Sequence, residues 1–138
     1  MNAKTPNKTF VLDTSALLAL RGNEAGADRV QVLLEQAKRN QCRIVVSFMT
    51  RMEVLYCVRR EEGEEAAREA LRLIDSFSIE WMSCEPAILD RASEIKSNGR
   101  VSVADSWIAA TASVLNATLV HKDPEFTPLS EISQELLK

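Results

Sequence analysis

Apolar positions recur along this chain with two alternating periods. Phe10, Val11 and Leu12 form a short unbroken run, the pattern of a buried strand, and Leu17, Leu18 and Leu20 then line one side of a short helix ending near Gly22. From Glu24 to about Asn40, residues Ala27, Val30, Leu33, Leu34 and Ala37 return at three- and four-residue spacing, which predicts an amphipathic helix. The β-branched stretch RIVVS (Arg43–Ser47) predicts a second strand, and Ser47 is placed to cap a helix running to Gly63. A further helix follows in EEAAREALRLIDSF, then a strand at Ile79–Ser83. Pro86 opens another helix that stops near Gly99, since proline suits the first helical turn. The stretch Ser102–Asn116 predicts a helix of low charge, Thr118–Asp123 a strand ending in an acid, and the region Glu131–Gln134 a last short strand.

Strands alternating with helices, and too apolar to face water on one side, predict an α/β fold with a mainly parallel sheet and helices on both faces. The 138 residues fit a single domain, 1–138, in which residues 1–9 form a loose lead-in. No apolar run reaches the ~20 residues of a membrane span, and the polar start MNAKTPNK lacks a signal-peptide core. A cytoplasmic protein is therefore expected. Three cysteines, Cys42, Cys57 and Cys84, without close spacing, and one histidine, His121, argue against zinc or disulfide chemistry. They are expected to be reduced and buried. A net charge of −3 argues weakly against a polyanionic partner, because bound divalent cations would reverse its sign.

Four acids stand apart from the solvated ones of the Glu61–Glu69 region. Asp13 directly follows the first strand, and Asp123 closes the strand Thr118–Asp123. Asp105 is the only formally charged residue between Val101 and His121, and Glu53 lies among Met49, Met52, Val54 and Tyr56. Each has a bland explanation. Asp13 suits a helix N-cap, Ser102 to Asp105 reads as a capping box, Asp123 precedes the turn-forming Pro124, and Thr50 to Glu53 also fits a capping box. Ser47 is the better start for that last helix, which puts Glu53 in its second turn, beyond the reach of a cap. Taken together, the four lie at one edge of the predicted sheet or on an apolar helix face. Ligands of parallel α/β sheets bind beyond the carboxyl ends of the strands. Gathered carboxylates repel one another and resist desolvation, and a hard divalent cation such as Mg²⁺ or Mn²⁺ is the natural compensator.

The segments FVLDTSALLAL, SFMTRMEVLY, SVADSWIAATA and LVHKDPEF, in this order, resemble PIN-domain nucleases and look most like VapC-like ribonuclease toxins of toxin–antitoxin pairs. The resemblance spans the chain after its first nine residues. It implies a three-layer α/β/α fold with a central sheet of about five strands, and a Mg²⁺- or Mn²⁺-dependent endoribonuclease. The family's four acids fall on Asp13, Glu53, Asp105 and Asp123, as metal ligands and catalytic groups. Thr14, Ser15 and Ser102 match hydroxyl residues that support them, and Glu125 and Phe126 match a closing acid–aromatic pair. His121 departs from the pattern, which often has Thr or Ser there. The resemblance also implies an RNA substrate, an antitoxin partner and a homodimer; the apolar helix surfaces bearing Leu33, Leu34, Leu55 and Tyr56 are expected chiefly in the core, with a part in such interfaces as the lesser alternative. Arg51, Arg100 and Lys122 are candidate contacts to the RNA backbone.

Other readings fit less well. A receiver domain needs an acidic pair beside its first-strand aspartate, and a haloacid-dehalogenase phosphatase a second aspartate where Ser15 stands. An RNA-processing nuclease without an antitoxin, or a non-catalytic scaffold of the same fold, remain the alternatives.

Overall fold

A computed structural model describes residues 8–138. Most of the expected lead-in lies outside the described residues, and Thr9, assigned to it, already belongs to the first strand. The elements run β1 (Thr9–Leu12), α1 (Thr14–Arg21), α2 (Ala27–Lys38), β2 (Arg43–Ser47), α3 (Phe48–Glu62), α4 (Glu64–Asp75), β3 (Glu80–Met82), α5 (Pro86–Asn98), α6 (Val103–Val114), β4 (Thr118–His121), a 3₁₀ turn (Pro124–Phe126) and β5 (Gln134–Leu136). All strand pairs are parallel, in the order β3-β2-β1-β4-β5. β1 is therefore central, and the chain leaves it on one side and returns on the other.

Strand side chains alternate between two cores, as the pleat requires. Phe10, Leu12, Ile44, Val46 and Val120 pack with residues of α1, α2, α3 and α4 on one face. Val11, Val45 and Leu119 pack with α5 and α6 on the other, joined by Phe126, Leu129 and Ile132. The sheet is thus buried on both faces, which is why its strands read as unbroken apolar runs.

Two expectations are corrected, on the last strand and on the cysteines. The last strand is Gln134–Leu136, not Glu131–Gln134. It is a polar edge strand held by its backbone pairing to β4 and by an Arg29–Glu135 ion pair of 2.7 Å, so no apolar period marks it. Leu33 and Leu34 are buried in the core, the destination expected for them, while Leu55 and Tyr56 are half-buried. Of the cysteines, which are free, only Cys42 is buried; Cys57 is half-buried and Cys84 exposed. Among the described residues, no helix is long and apolar enough to cross a membrane.

Candidate functional site

The acids gather where β1 and β4 lie side by side and the connections diverge, the point where ligands of such sheets bind. The Asp13 amide donates to the Val120 carbonyl at 3.1 Å, extending the β1–β4 pairing to the end of β1. Asp13 then caps α1, accepting the Ala16 amide at 2.9 Å. The bland reading of this residue holds, yet it leaves a carboxylate only 3% exposed. Ser15 donates to that carboxylate at 2.7 Å and accepts the Lys122 amide at 2.9 Å, so one hydroxyl ties Asp13 to the end of β4.

Ser47 caps α3 at the end of β2, accepting the Met49 amide at 3.1 Å, and thereby sets Glu53 in the second turn. Thr14 Oγ1 lies 2.5 Å from Glu53 Oε1, to which it donates, and 3.1 Å from Thr50 Oγ1. A hydroxyl has one proton, and the charged acceptor takes it.

Ser102 caps α6 by accepting the Asp105 amide at 3.1 Å. Only half of the expected capping box forms. Among the described residues, no bond returns from the Asp105 carboxylate to the Ser102 amide, because that carboxylate turns to other acids. Ser102 accordingly positions the backbone of the first turn and bonds no carboxylate. Asp123 caps the 3₁₀ turn, accepting the Glu125 amide at 3.0 Å. That turn folds Glu125 back, and oxygen atoms of Asp105, Asp123 and Glu125 all lie within 4.8 Å of one another.

The structure thus brings together Asp105, Asp123 and Glu125, with Asp13 and Glu53 outside this tight group but electrostatically coupled to it. Burial pushes the Asp105 carboxyl up to about 7, aided by the charges of Asp123 and Glu53 and by a hydrogen bond to Glu125. Burial also pushes Asp13 up to about 7, opposed by the Ala16 and Ser15 bonds and aided slightly by the charge of Asp123. Among the described residues, no ion pair reaches any of the five acids. None of the nearby candidate cations pairs with these acids. Lys122 pairs with Glu24 at 3.7 Å, Arg51 lies over the Trp81 ring at 5.9 Å, and Arg100 lines a cleft of about 510 Å³ with Val101, Leu129 and Glu125. An all-oxygen donor set of like charges without a protein counter-ion fits a hard divalent cation.

Glu125 is the group member that the sequence reading left out of the ligand set. Its signal was the Asp–Pro turn, which brings residue 125 back beside residue 123. His121 sits beneath them, fully buried, its ring edge-on to Phe126 at 5.0 Å between centroids.

The sequence matches the family model described as PIN domain over residues 10–131. The fold is similar to that of VapBC2 from Rickettsia felis bound to a promoter DNA fragment, with a TM-score of 0.76 and 20% identity over 94% of this chain and 99% of that one. It is similar to DNA-bound VapBC from Salmonella typhimurium, at 0.75 and 18% over 93% and 97%. It is also similar to VapC20 of Mycobacterium tuberculosis, described as a sarcin–ricin loop cleaving toxin, at 0.69 and 16% over 87% and 94%. No curated protein sequence matches the chain.

Proposed function

The chain belongs to the PIN domain family, and from that premise we propose that it is a divalent-metal-dependent endoribonuclease, the toxin of a toxin–antitoxin pair. The observation that carries this reading is the convergence of Asp105, Asp123 and Glu125 within 4.8 Å, beside Asp13 and Glu53, with no ion-paired cation to offset them among the described residues. A scaffold that only bound a partner would have no use for an arrangement that costs stability.

Asp13, Glu53, Asp105 and Asp123 hold Mg²⁺ or Mn²⁺ in this proposal, with Glu125 added. When bound, the ion lowers the pKa of a water molecule and offsets charge on the phosphate oxygens. The residues around it supply order. Ser15 and Thr14 fix the orientation of Asp13 and Glu53, so these carboxylates lose little freedom when they bind a cation. Asp105, whose carboxyl is held up by burial, by neighbouring charges and by a hydrogen bond to Glu125, would hold the ion in its deprotonated form, so binding would release protons. Arg100, on the rim next to Glu125, is placed to meet a backbone phosphate.

RNA as substrate and an antitoxin as partner rest on the family resemblance and on the similarity to VapBC complexes and to VapC20. The antitoxin would lay an apolar segment along the protein and aim a basic side chain at the acids. A homodimer would draw on α3, where Met52 is 60% exposed beside the half-buried Leu55 and Tyr56. The test is incubation of partner-free protein with a panel of RNAs in Mn²⁺, Mg²⁺ or EDTA. Internal cleavage that EDTA abolishes is expected. No cleavage of any RNA with either metal would overturn the reading.

A further inference from the structure

His121 occupies a position that the metal reading leaves without a task, and its surroundings are unusually determined. The ring is fully buried at the end of β4. Its Nδ1 lies 3.1 Å from the backbone nitrogen of Asp123, and its Nε2 lies 2.9 Å from Oε1 of Gln134 on β5. The Gln134 amide nitrogen donates to the carbonyls of Phe126 and Leu129, each at 2.9 Å.

These contacts fix where every proton sits. A backbone N–H only donates, so Nδ1 must present its lone pair to Asp123, and the neutral ring carries its proton on Nε2. That proton needs an acceptor, which is Gln134 Oε1. The orientation of the Gln134 amide is fixed independently, because two carbonyl oxygens surround its nitrogen. The chain of bonds therefore has one consistent direction, from Asp123 N–H to His121, on to Gln134, and from there to Phe126 and Leu129. Its centre, the His121 ring, is fully buried, while Asp123 and Gln134 are half-buried, so a link broken at the ring leaves an unpaired polar group away from water.

The two ends of this relay bracket the turn that carries the acids. Asp123 is held at its amide and Phe126 at its carbonyl, while the Asp123 side chain accepts the Glu125 amide between them. We propose that His121 and Gln134 are positioning residues: a relay from β5 through the buried His121 ring that sets the Asp123–Phe126 turn, and through it the Asp123 and Glu125 carboxylates, for a divalent cation. The inference rests on the metal reading above. It assigns to β5, which carries no acid of the group, a part in building the site.

The two ring nitrogens can be replaced one at a time. In His121→Asn the side-chain oxygen falls near Nδ1 and keeps the acceptor for Asp123. In His121→Gln the terminal amide falls near Nε2 and keeps the bond to Gln134 but not the one to Asp123. Mg²⁺ binding is measured by calorimetry without RNA, beside thermal unfolding in EDTA. His121→Gln, which loses the Asp123 bond, is expected to weaken Mg²⁺ binding about ten-fold, and His121→Asn, which loses only the link to Gln134, about three-fold. Equal Mg²⁺ binding by both variants and wild type would overturn the proposal. So would equal weakening in both that tracks their loss of unfolding temperature, because that marks a merely structural side chain. An absence of Mg²⁺ binding in wild type instead marks failure of the metal reading, and takes this inference with it.

A measurement on the wild-type protein needs no variant to fold. His121 is the chain's one histidine, so selective ¹⁵N-histidine labelling reports on it alone. At one fixed pH, the Nε2–H tautomer is expected, with the Nδ1 signal shifting on Mg²⁺ addition at the calorimetric midpoint. An Nδ1–H tautomer, or a signal indifferent to saturating Mg²⁺, would refute the relay.

Discussion

Thr14 and Glu53 meet across 2.5 Å, the hydroxyl of one donating to the carboxylate of the other, although 39 positions separate them. The bond joins the first residue of α1 to the second turn of α3, and so links the ends of two adjacent strands. Thr14→Val keeps the shape and removes the proton. It is expected to cost about 1–2 kcal/mol, the range for a lost bond to a charged acceptor at a largely buried site. A double-mutant cycle with Glu53→Gln, read by urea unfolding, should show the two costs coupled. Simple additivity would mean that the bond contributes nothing.

Asp105→Asn separates a metal site from a helix cap. Because neighbouring charges help to push this carboxyl up, removing its charge should stabilise the metal-free protein by on the order of 1 kcal/mol. That is less than the ~1.36 kcal/mol per pKa unit would give, since solvent screens a half-exposed group. The same change should reduce stabilisation by Mn²⁺ and cut RNA cleavage by orders of magnitude. Thermal unfolding in EDTA and in Mn²⁺ decides it: a variant with undiminished Mn²⁺ stabilisation and cleavage would be a cap and nothing more.

Asp13 serves as both cap and candidate ligand, and two substitutions divide the roles. Asparagine caps as well as aspartate, whereas alanine does not cap, so Asp13→Ala should lie about 1 kcal/mol below Asp13→Asn in metal-free stability. Both should lose Mn²⁺ binding alike. Calorimetric titration that found Asp13→Asn binding Mn²⁺ like wild type would restrict the residue to its capping role.

The pH dependence of the metal-free protein follows from the same two carboxyls. Asp13 and Asp105 have folded-state values of about 7 against 3.8 when unperturbed. Between those values the folded state binds more protons than the unfolded chain, so stability should fall as pH rises from about 4 to about 7 and then level off. Glu62, Glu64, Glu80 and Glu135 are shifted downward by arginine partners, so their contribution changes only at lower pH. With saturating Mn²⁺ the trend should reverse, because the cation binds the deprotonated carboxylates. Unfolding temperatures across this range, with EDTA and with Mn²⁺, check both slopes.

The sequence made the layers legible where burial leaves a periodic mark. RIVVS, the helix opened by Pro86 and the Ser102-capped helix appear where their apolar patterns place them, since both faces of the sheet are covered. Asp13 and Asp105 were legible because a charge inside an apolar run is conspicuous, and Asp123 because it closes a strand. Glu125 was not, because it stands in a polar stretch with Lys122 and Asp123, and only the 3₁₀ turn gives it a place beside Asp105. Gln134 was hidden for a similar reason. An edge strand covered on one side by long polar side chains has no period to betray it, and its bond to His121 depends on strand register.

The order β3-β2-β1-β4-β5 has a consequence for the chain while it is being made. The first half, through β3, carries Asp13 and Glu53; Asp105, Asp123 and Glu125 all come with the second half, on α6 and beyond β4. A nascent chain that stops between β3 and α6 holds α1 to α4 with β1 and β2, and of the five acids it carries only Asp13 and Glu53. Such a fragment has no place for Asp123 beside Asp13. On the proposed function, a copy that ends before the fourth strand lacks Asp123 and Glu125 and is expected to cut no RNA, so the activity would arrive only with the last fifth of the chain.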